Sequence, residues 1–564
     1  MRKSLLLSAT FLTIALSASA CASVGTSAAT DNNPFGTYLS AHVAANQHDL
    51  IDAGKLYRDA LDDDPDDADI ANRAFLYTAA SGDVDDAMDL AKKVVALDPD
   101  NRAGRLALAI KDVKDSDYTG AAQELTQSGK GPFTTLTLLL IEGWASQGNG
   151  NTAEALKDMD ALAPLGGTPQ LINYHKALIL DLAGRDADAD ATYRQILQQS
   201  ANGPRVIEAY GRFLERHGRT DEAKALYQKA MEDDSLEPLA SAGLARIAAG
   251  TKPDRLVNSP QEGAAEGLFS IAASLNDATN ADIAILYLRF ALYLKPDFNL
   301  AKIVLADRFE ALKKYADAIT VYRSIDADSP YYQAAEIQVA IDEGRMDQNE
   351  KAVADLKDIA AKRPDDAAAW TSLGDAYRAV NNDTDAIDAY TRAIALSNPP
   401  DKSDWQLYFA RAASEENVKQ IAAAEADLQM ALKLSPNEPQ VLNYLGYTWV
   451  DQGRNLPQAL AMLQKARTLS PYDGYIVDSV GWAYFRMAKY KEAADALQAA
   501  VLLVPGDPTI NEHLGDAYWM AGRKLDARFQ WNHALAFNTD PKLKVVLEKK
   551  LKDGVTAAEA RAGQ

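Results

Sequence analysis

The 564-residue chain has a single cysteine, Cys21, so it forms no internal disulfide framework and no zinc site built on several thiolates. Histidine is almost as scarce. His42, His48, His175, His217, His513 and His533 are all there are, and no two stand at H-x-x-x-H or H-x-H spacing. A metal site carried on one helix needs ligands a turn apart on one face, so the histidines read as surface or packing residues, with no metal or other cofactor expected. Positive charge is also in short supply: 58 Lys+Arg against 80 Asp+Glu, a formal net charge of −22. Nucleic acid and anionic lipid head groups are bound by clustered cations, so neither is an expected partner. No stretch reaches the ~18 apolar residues of a membrane span. The motifs G-x-S-x-G, G-x-x-x-x-G-K-S/T and H-E-x-x-H do not occur, and no acid, base and nucleophile set is visible, so the chain is not expected to be an enzyme. What is present is a globular composition, 47% hydrophobic, which argues against wholesale disorder.

The N-terminus reads as an address. Arg2 and Lys3 precede the apolar run Leu5 to Leu16, and small residues Ser17-Ala18-Ser19-Ala20 lead to Cys21. A basic start, a short apolar stretch and small residues before a cut make a secretory signal peptide over residues 1–20. The segment resembles a bacterial lipoprotein signal, which implies a lipidated Cys21 as the mature N-terminus. It departs from that pattern in holding Ala18, not Leu, three residues before the cysteine. The other reading is ordinary cleavage after Ala18-Ser19-Ala20, leaving a free thiol. The lone cysteine falling at the cut site favours lipidation, which holds a protein at a membrane when several acyl chains are attached. Ala22 follows where the resemblance would place Asp for inner-membrane retention, which favours the outer membrane, facing the periplasm. Residues 21–33 are Ser, Thr, Ala, Gly and Asn in the main and read as a flexible tether.

The body of the chain repeats every thirty-four residues. Trp370, Leu373, Gly374 and Tyr377 are followed by Ala386, Tyr390 and Ala393; Val480, Gly481 and Tyr484 by Ala493, Leu497, Ala500 and Pro505; Leu514, Gly515 and Tyr518 by Ala527, Trp531 and Ala534. Apolar or small residues at i, i+3, i+4 and i+7, interrupted by a polar turn, describe two amphipathic helices joined by a short loop. This spacing resembles the tetratricopeptide repeat, W-x2-L-G-x2-Y then A-x3-F/Y-x2-A then P. The resemblance implies an all-α, right-handed superhelical solenoid of about 13–14 helix-turn-helix repeats. Starts fall near residues 34, 68, 102, 136, 170, 204, 265, 299, 333, 367, 405, 439, 474 and 508, with 102–167 a poor match. No single helix pair buries its apolar face alone, so neighbours must stack.

Two places break the register. Residues 238–249 read as one helix without a partner, and the following stretch, with Pro253 and Pro260, reads as a loop. The expected organisation is therefore an N-terminal superhelix over 34–249, an irregular insertion over 250–264, a C-terminal superhelix over 265–539, and a terminal helix and tail over 540–564. One extra residue near Asn455-Leu456-Pro457 lengthens a turn. The acidic run from Asp62 to Asp67 lacks the central Gly and terminal Glu of a calcium loop and reads as a solvated inter-repeat turn that caps the next helix.

In structures of the family that this resemblance implies, the second, fifth, ninth and twelfth positions of the first helix of each repeat line the inner surface. In the last four repeats these positions carry Phe409, Tyr447, Val450, Tyr475, Trp482, Phe485 and Trp519. Earlier repeats place mostly charged or small residues there, such as Arg205, Glu208, Arg212, Glu215, Asp307 and Glu310. Large aromatics on a nominally solvent-facing surface point to a protein or peptide partner. Self-association as a homodimer, and packing under the molecule's own next turn or terminal helix, are the competing readings. The charge is uneven as well: residues 439–564 hold fifteen Lys+Arg against thirteen Asp+Glu, so the acidity lies before them. The architecture resembles that of the tetratricopeptide lipoproteins of Gram-negative outer membranes, which implies an adaptor that recruits a carboxyl-terminal processing protease and its substrates. The alternative is an assembly factor for an outer-membrane, polysaccharide-export or secretion machine.

Overall fold

A computed structural model describes residues 34–129, 131–199, 203–231, 237–275, 280–397 and 399–556. The signal segment, the tether and Cys21 lie outside the described residues. Thirty α-helices and one short 3-10 turn are found there, with no strand. They fall into two compact units, one ending at Asp347 and the other beginning at Gln348.

In the first unit, six helix pairs stack in chain order. Their first helices are Pro34–Asn46, Ala68–Ser81, Arg102–Lys114, Pro132–Gly148, Pro169–Leu182 and Pro204–Arg216, the last pairing with Thr220–Ala230. The poorly matching stretch from Arg102 folds as helix pairs all the same. Helix Glu237–Ala249 packs on Thr220–Ala230 and Pro204–Arg216. In the second unit, helix Asn349–Lys362 precedes five pairs whose first helices are Ala367–Ala379, Trp405–Asn417, Pro439–Asp451, Gly474–Arg486 and Pro508–Met520, and the terminal helix Pro541–Asp553 closes it.

The repeat residues act as their spacing demands. A Cβ on Gly515 would fall 2.4 Å from the Trp531 indole, and one on Gly374 would fall 2.5 Å from the Tyr390 ring. The glycine therefore gives the second helix's aromatic a seat against the first helix, and Trp531 and Tyr390 are fully buried there. The turns between repeats carry the caps. Asp67 accepts from the backbone N–H of Asp69 (2.8 Å) and Ile70 (3.0 Å), and Asp473 and Asp507 cap the next helices in the same way. These carboxylates satisfy free helix N–H groups and meet the positive end of the helix dipole, so the acidic turns have a structural role. At the long turn, Asn455 takes a left-handed conformation, φ 52°, at the start of helix Leu456–Leu469.

Two expectations need correction. The irregular stretch is shorter than 250–264, because Ser259 caps a helix that starts at Pro260. The division between compact units lies at Asp347/Gln348, not in that stretch. The physical reason is the course of residues 260–294. Helices Pro260–Ser274 and Ala281–Leu294 form a hairpin that packs against the first helices of earlier pairs. Pro260–Ser274 lies on Pro132–Gly148 and Pro169–Leu182, and Ala281–Leu294 lies on Ala68–Ser81 and Arg102–Lys114. The segment expected to open a second superhelix instead fills the inner face of the first unit and joins its hydrophobic core.

Candidate functional site

The inner positions of the two units have different surroundings. In the first unit they meet the inserted hairpin. Glu266 on the hairpin is fully buried, where it is ion-paired with Arg205 and accepts from the Tyr174 hydroxyl (3.1 Å). Arg205 also pairs with Glu208, which pairs with Arg212 at 2.7 Å, and Glu215 accepts from Tyr227 (2.8 Å) and Arg246 (2.9 Å). Burial that leaves each charge paired and hydrogen-bonded is what a low-dielectric interior tolerates. Trp144 Nε1–H donates to His175 Nδ1 at 3.2 Å, and His175 Nε2 lies 3.3 Å from Ser270 Oγ on the hairpin. With Nδ1 accepting, the ring is neutral with its proton on Nε2, and burial draws the His175 pKa down to about 3. Of the charged side chains that looked solvent-facing in sequence, Arg205 therefore holds the chain's own hairpin, while Glu208, Arg212 and Glu215 pair with neighbours on their own and the following helices.

In the second unit, three of the seven expected inner-face residues are packed inside. Val450 is fully buried, and Phe485 and Trp482 are only 1% and 3% exposed. Trp482 stacks on Phe485 (ring centres 4.7 Å, planes 10° apart) and on His513 (4.1 Å, 14°). His513 Nδ1 lies 3.0 Å from both carboxylate oxygens of Asp478. Asp478 outweighs the effect of burial and holds the imidazole above its usual pKa. The correction has a geometric cause: neighbouring first helices in this unit touch along the inner face, so ninth- and twelfth-position side chains reach sideways into the next helix. These three residues are not open to a partner.

Trp519 is half-buried by the terminal segment. It packs on Trp531 at 5.4 Å, and a Cβ on Gly554 would fall 1.9 Å from its ring, so the chain leaving the terminal helix crosses it. The terminal helix is fastened by Lys550, whose ammonium reaches Glu512 and Asp516 at 2.6 Å each, and by the fully buried Leu547. Phe409 is half-buried between Trp405 (6.1 Å) and Tyr444 (5.7 Å, edge-on), and Tyr447 is half-buried. Only Tyr475 remains exposed, at 51%.

Tyr475 has neighbours that sequence reasoning missed. Tyr472, in the turn just before it, is 86% exposed, and Leu469, Leu502, Leu503 and Phe537 are exposed too. Leu469, Leu503 and Phe537 each end the second helix of successive repeats. A Cβ on Gly474 would fall 3.2 Å from Leu503 Cβ, which sets Leu503 beside the start of the Tyr475 helix. These residues make an apolar row along the inter-repeat turns. The signal was Tyr472 itself, an aromatic where the other turns of this unit carry Asn437 and Gly506.

Asp112 and Asp342, raised to about 6, and Glu415, raised to about 7, all by burial, lie on three separate helices. No group of three or more His, Cys, Asp or Glu that could hold a metal occurs among the described residues, and no described helix is long and apolar enough to cross a membrane.

A tetratricopeptide-repeat family model matches residues 340–401 and 481–541. The chain carries tetratricopeptide repeats. A TPR repeat-containing protein of Pseudomonas aeruginosa is 28% identical over 221 residues, 39% of this chain and 35% of that protein. The cytochrome c-type biogenesis protein CycH of Rhizobium meliloti is 31% identical over 121 residues, 22% of this chain and 31% of that protein. The chain thus spans about a third of the length of these curated relatives. Among solved structures, the APC/C hetero-tetramer Cut9-Hcn1 is 17% identical with a TM-score of 0.39, covering 92% of this chain and 96% of that one. MamA from Desulfovibrio magneticus RS-1 is 18% identical with a TM-score of 0.28, covering 30% and 94%. Tetratricopeptide repeats present extended surfaces to protein or peptide partners, and the stacked helix pairs here make a scaffold of that kind.

Proposed function

We propose that the protein is a non-catalytic scaffold of the bacterial cell envelope that recruits a protein partner through the apolar row of its second unit. The observation that carries the reading is the exposure of Tyr472 and Tyr475 beside Leu469 and Leu503, on a unit whose other inner-face aromatics are buried or half-buried. Exposed aromatics concentrated in one place, on a chain of this acidity, are where binding energy is gathered. In this reading Cys21 carries the lipid, the anchor is in the outer membrane, and the partner is a carboxyl-terminal processing protease together with its substrates. That last identity rests on the resemblance of the architecture to adaptor lipoproteins, so it is an analogy of fold and not of site.

The test is co-purification from envelope extract with the full chain and with a Tyr472→Ser/Tyr475→Ser variant. Recovery of a periplasmic protease by the first and not by the second supports the proposal; equal recovery by both removes the row from it. The second reading, an assembly factor, has one observation in its favour: the Rhizobium relative is named for cytochrome c biogenesis, an assembly process. Recovery of assembly proteins without a protease favours that reading.

A further inference from the structure

The inserted hairpin carries Arg289 to a place where it forms no ion pair within 4 Å among the described residues. Its Nε–H donates to the Ala80 carbonyl at 3.2 Å, and its guanidinium carbon lies 5.7 Å from the centre of the Phe309 ring. The other face of the guanidinium rests on the turn at Gly82, where a Cβ would fall 3.2 Å from that carbon and where φ is 117°. Gly82 thus serves both the left-handed turn and the close approach. The side chain is half-buried, and its two terminal nitrogens have no hydrogen-bond acceptor and no carboxylate within 4 Å among the described residues. Burial draws the guanidinium pKa down, with Asp317 and Asp83 opposing the shift from beyond contact distance.

The guanidinium opens into a cleft of about 190 Å3 that Asp49, Ile51, Phe309, Lys314 and Asp317 also line. Two cations and two anions face the same space, and none of them forms an ion pair there. Flexible side chains of opposite charge ordinarily close to contact; here they are held apart. Arg289 is fixed by its bond to Ala80 and its seat between Phe309 and Gly82. Asp49 is fixed as a helix cap, accepting from the Asp52 backbone N–H at 3.2 Å, and Asp317 stands in the first turn of helix Tyr315–Tyr322. Burial holds the Asp317 carboxyl above its usual range, with Lys314 and Arg289 opposing the shift and Asp49 adding to it.

We propose that this cleft binds a free α-amino acid, its carboxylate on Arg289 and Lys314, its ammonium between Asp49 and Asp317, and its apolar side chain against Ile51 and Phe309. A ligand that carries both charges on one carbon satisfies both pairs at once, and a planar carboxylate matches the two unused edges of a guanidinium. This site lies on the first unit and does not depend on the partner-binding row of the second.

Isothermal titration of the full chain with free amino acids tests it, each apolar one run beside its deaminated acid and its decarboxylated amine. The expected result is one site per chain for at least one amino acid, with either analogue weaker by about thirtyfold or more. Asp317→Asn is expected to weaken binding by a similar factor with an unchanged melting curve, and Arg289→Met to abolish it. Should Arg289→Met fail to fold, Asp317→Asn and Lys314→Met decide the matter. Acetate or phosphate binding as tightly as the amino acids makes the cleft a simple anion site and overturns the proposal. So does the absence of heat with every amino acid at millimolar concentration, or an Asp317→Asn variant that binds as the parent does.

Discussion

The two units are built from the same helix pair and close their inner faces by opposite means. The first fills its inner face with another part of the chain, hairpin Pro260–Ser274/Ala281–Leu294, held through buried charge and hydrogen bonds: Glu266 to Arg205 and Tyr174, His175 to Trp144 and Ser270, Asp282 to His48. The second closes its inner face with its own side chains, Trp482 stacked on His513 and Phe485. The repeat therefore specifies how a helix pair stacks on the next one and leaves the inner face to be settled separately. Where that face is charged, it suits a polar insert; where it is aromatic, it closes on itself and displaces the exposed apolar residues to the turns.

The largest effects should come from removing what fills each inner face. Trp144→Ala deletes a fully buried indole from the first unit and Trp482→Ala one from the second, each at a cost of about 3–5 kcal/mol in urea unfolding. Each loss should appear in its own unit by hydrogen exchange. Protection lost equally in both units after either substitution would break the comparison. Glu266→Ala, which leaves Arg205 beside the hairpin without its buried partner, is expected to cost about 3–5 kcal/mol in the first unit alone.

Next comes pH, because each unit buries one histidine and the two have opposite signs. The His175 pKa falls to about 3 in the folded state from its ordinary 6.5, so the folded state binds fewer protons than the unfolded chain between those values. This group's contribution to stability is complete above pH 6.5 and is lost as pH falls, at up to about 1.4 kcal/mol per pH unit. Against the lowering effect of burial, Asp478 holds the His513 pKa above 6.5, with Glu512 and Asp516 adding to the rise. Its contribution is complete below pH 6.5 and is lost as pH rises through the folded value. Unit-resolved hydrogen exchange between pH 5 and pH 8 should show the His175 contribution to the first unit weakening toward acid, opposed there by Asp112 and Asp342, and the His513 contribution to the second weakening toward base. Each trend should flatten in His175→Gln and in His513→Asn, respectively.

The smallest effect on stability sharpens the contrast between a packed and an exposed aromatic. Tyr475→Ala is expected to change unfolding by no more than about 0.5 kcal/mol, against the several kcal/mol of Trp482→Ala, while partner capture falls. A large loss of stability at Tyr475 would place it in the core with its neighbours and remove it from the binding row.

Much of the fold was legible in the residues. The spacing of Gly374 to Tyr390, or of Gly515 to Trp531, is a local rule of helix against helix, and the structure seats each pair accordingly. The candidate site was legible only in part. Position nine of the first helix holds both Asp375 and Trp482, and one rule of inner-face exposure applied to both left Trp482 nominally open to solvent. The rule knows nothing of the next helix, onto whose His513 the indole in fact stacks. Tyr472 was overlooked because it occupies a turn, outside the helical positions that the repeat numbers.

The amino-acid sequence by itself determined that the described residues are helix without strand, where most pairs begin, and which face of each helix meets its partner within the pair, because those depend on a period of a few residues and on caps within one turn. The tertiary structure alone decided against what each face is buried. Ala284, Leu288 and Ala291 show the spacing of a repeat that stacks on its predecessor, yet their hairpin lies on helices some 100 to 200 residues earlier in the chain. Apolar spacing describes one side of an interface, and burial of apolar area is not directional. Directional contacts such as Glu266 reaching Arg205 and Tyr174, Ser270 reaching His175, Asp282 reaching His48 and Arg289 reaching the Ala80 carbonyl single out the face on which the hairpin rests.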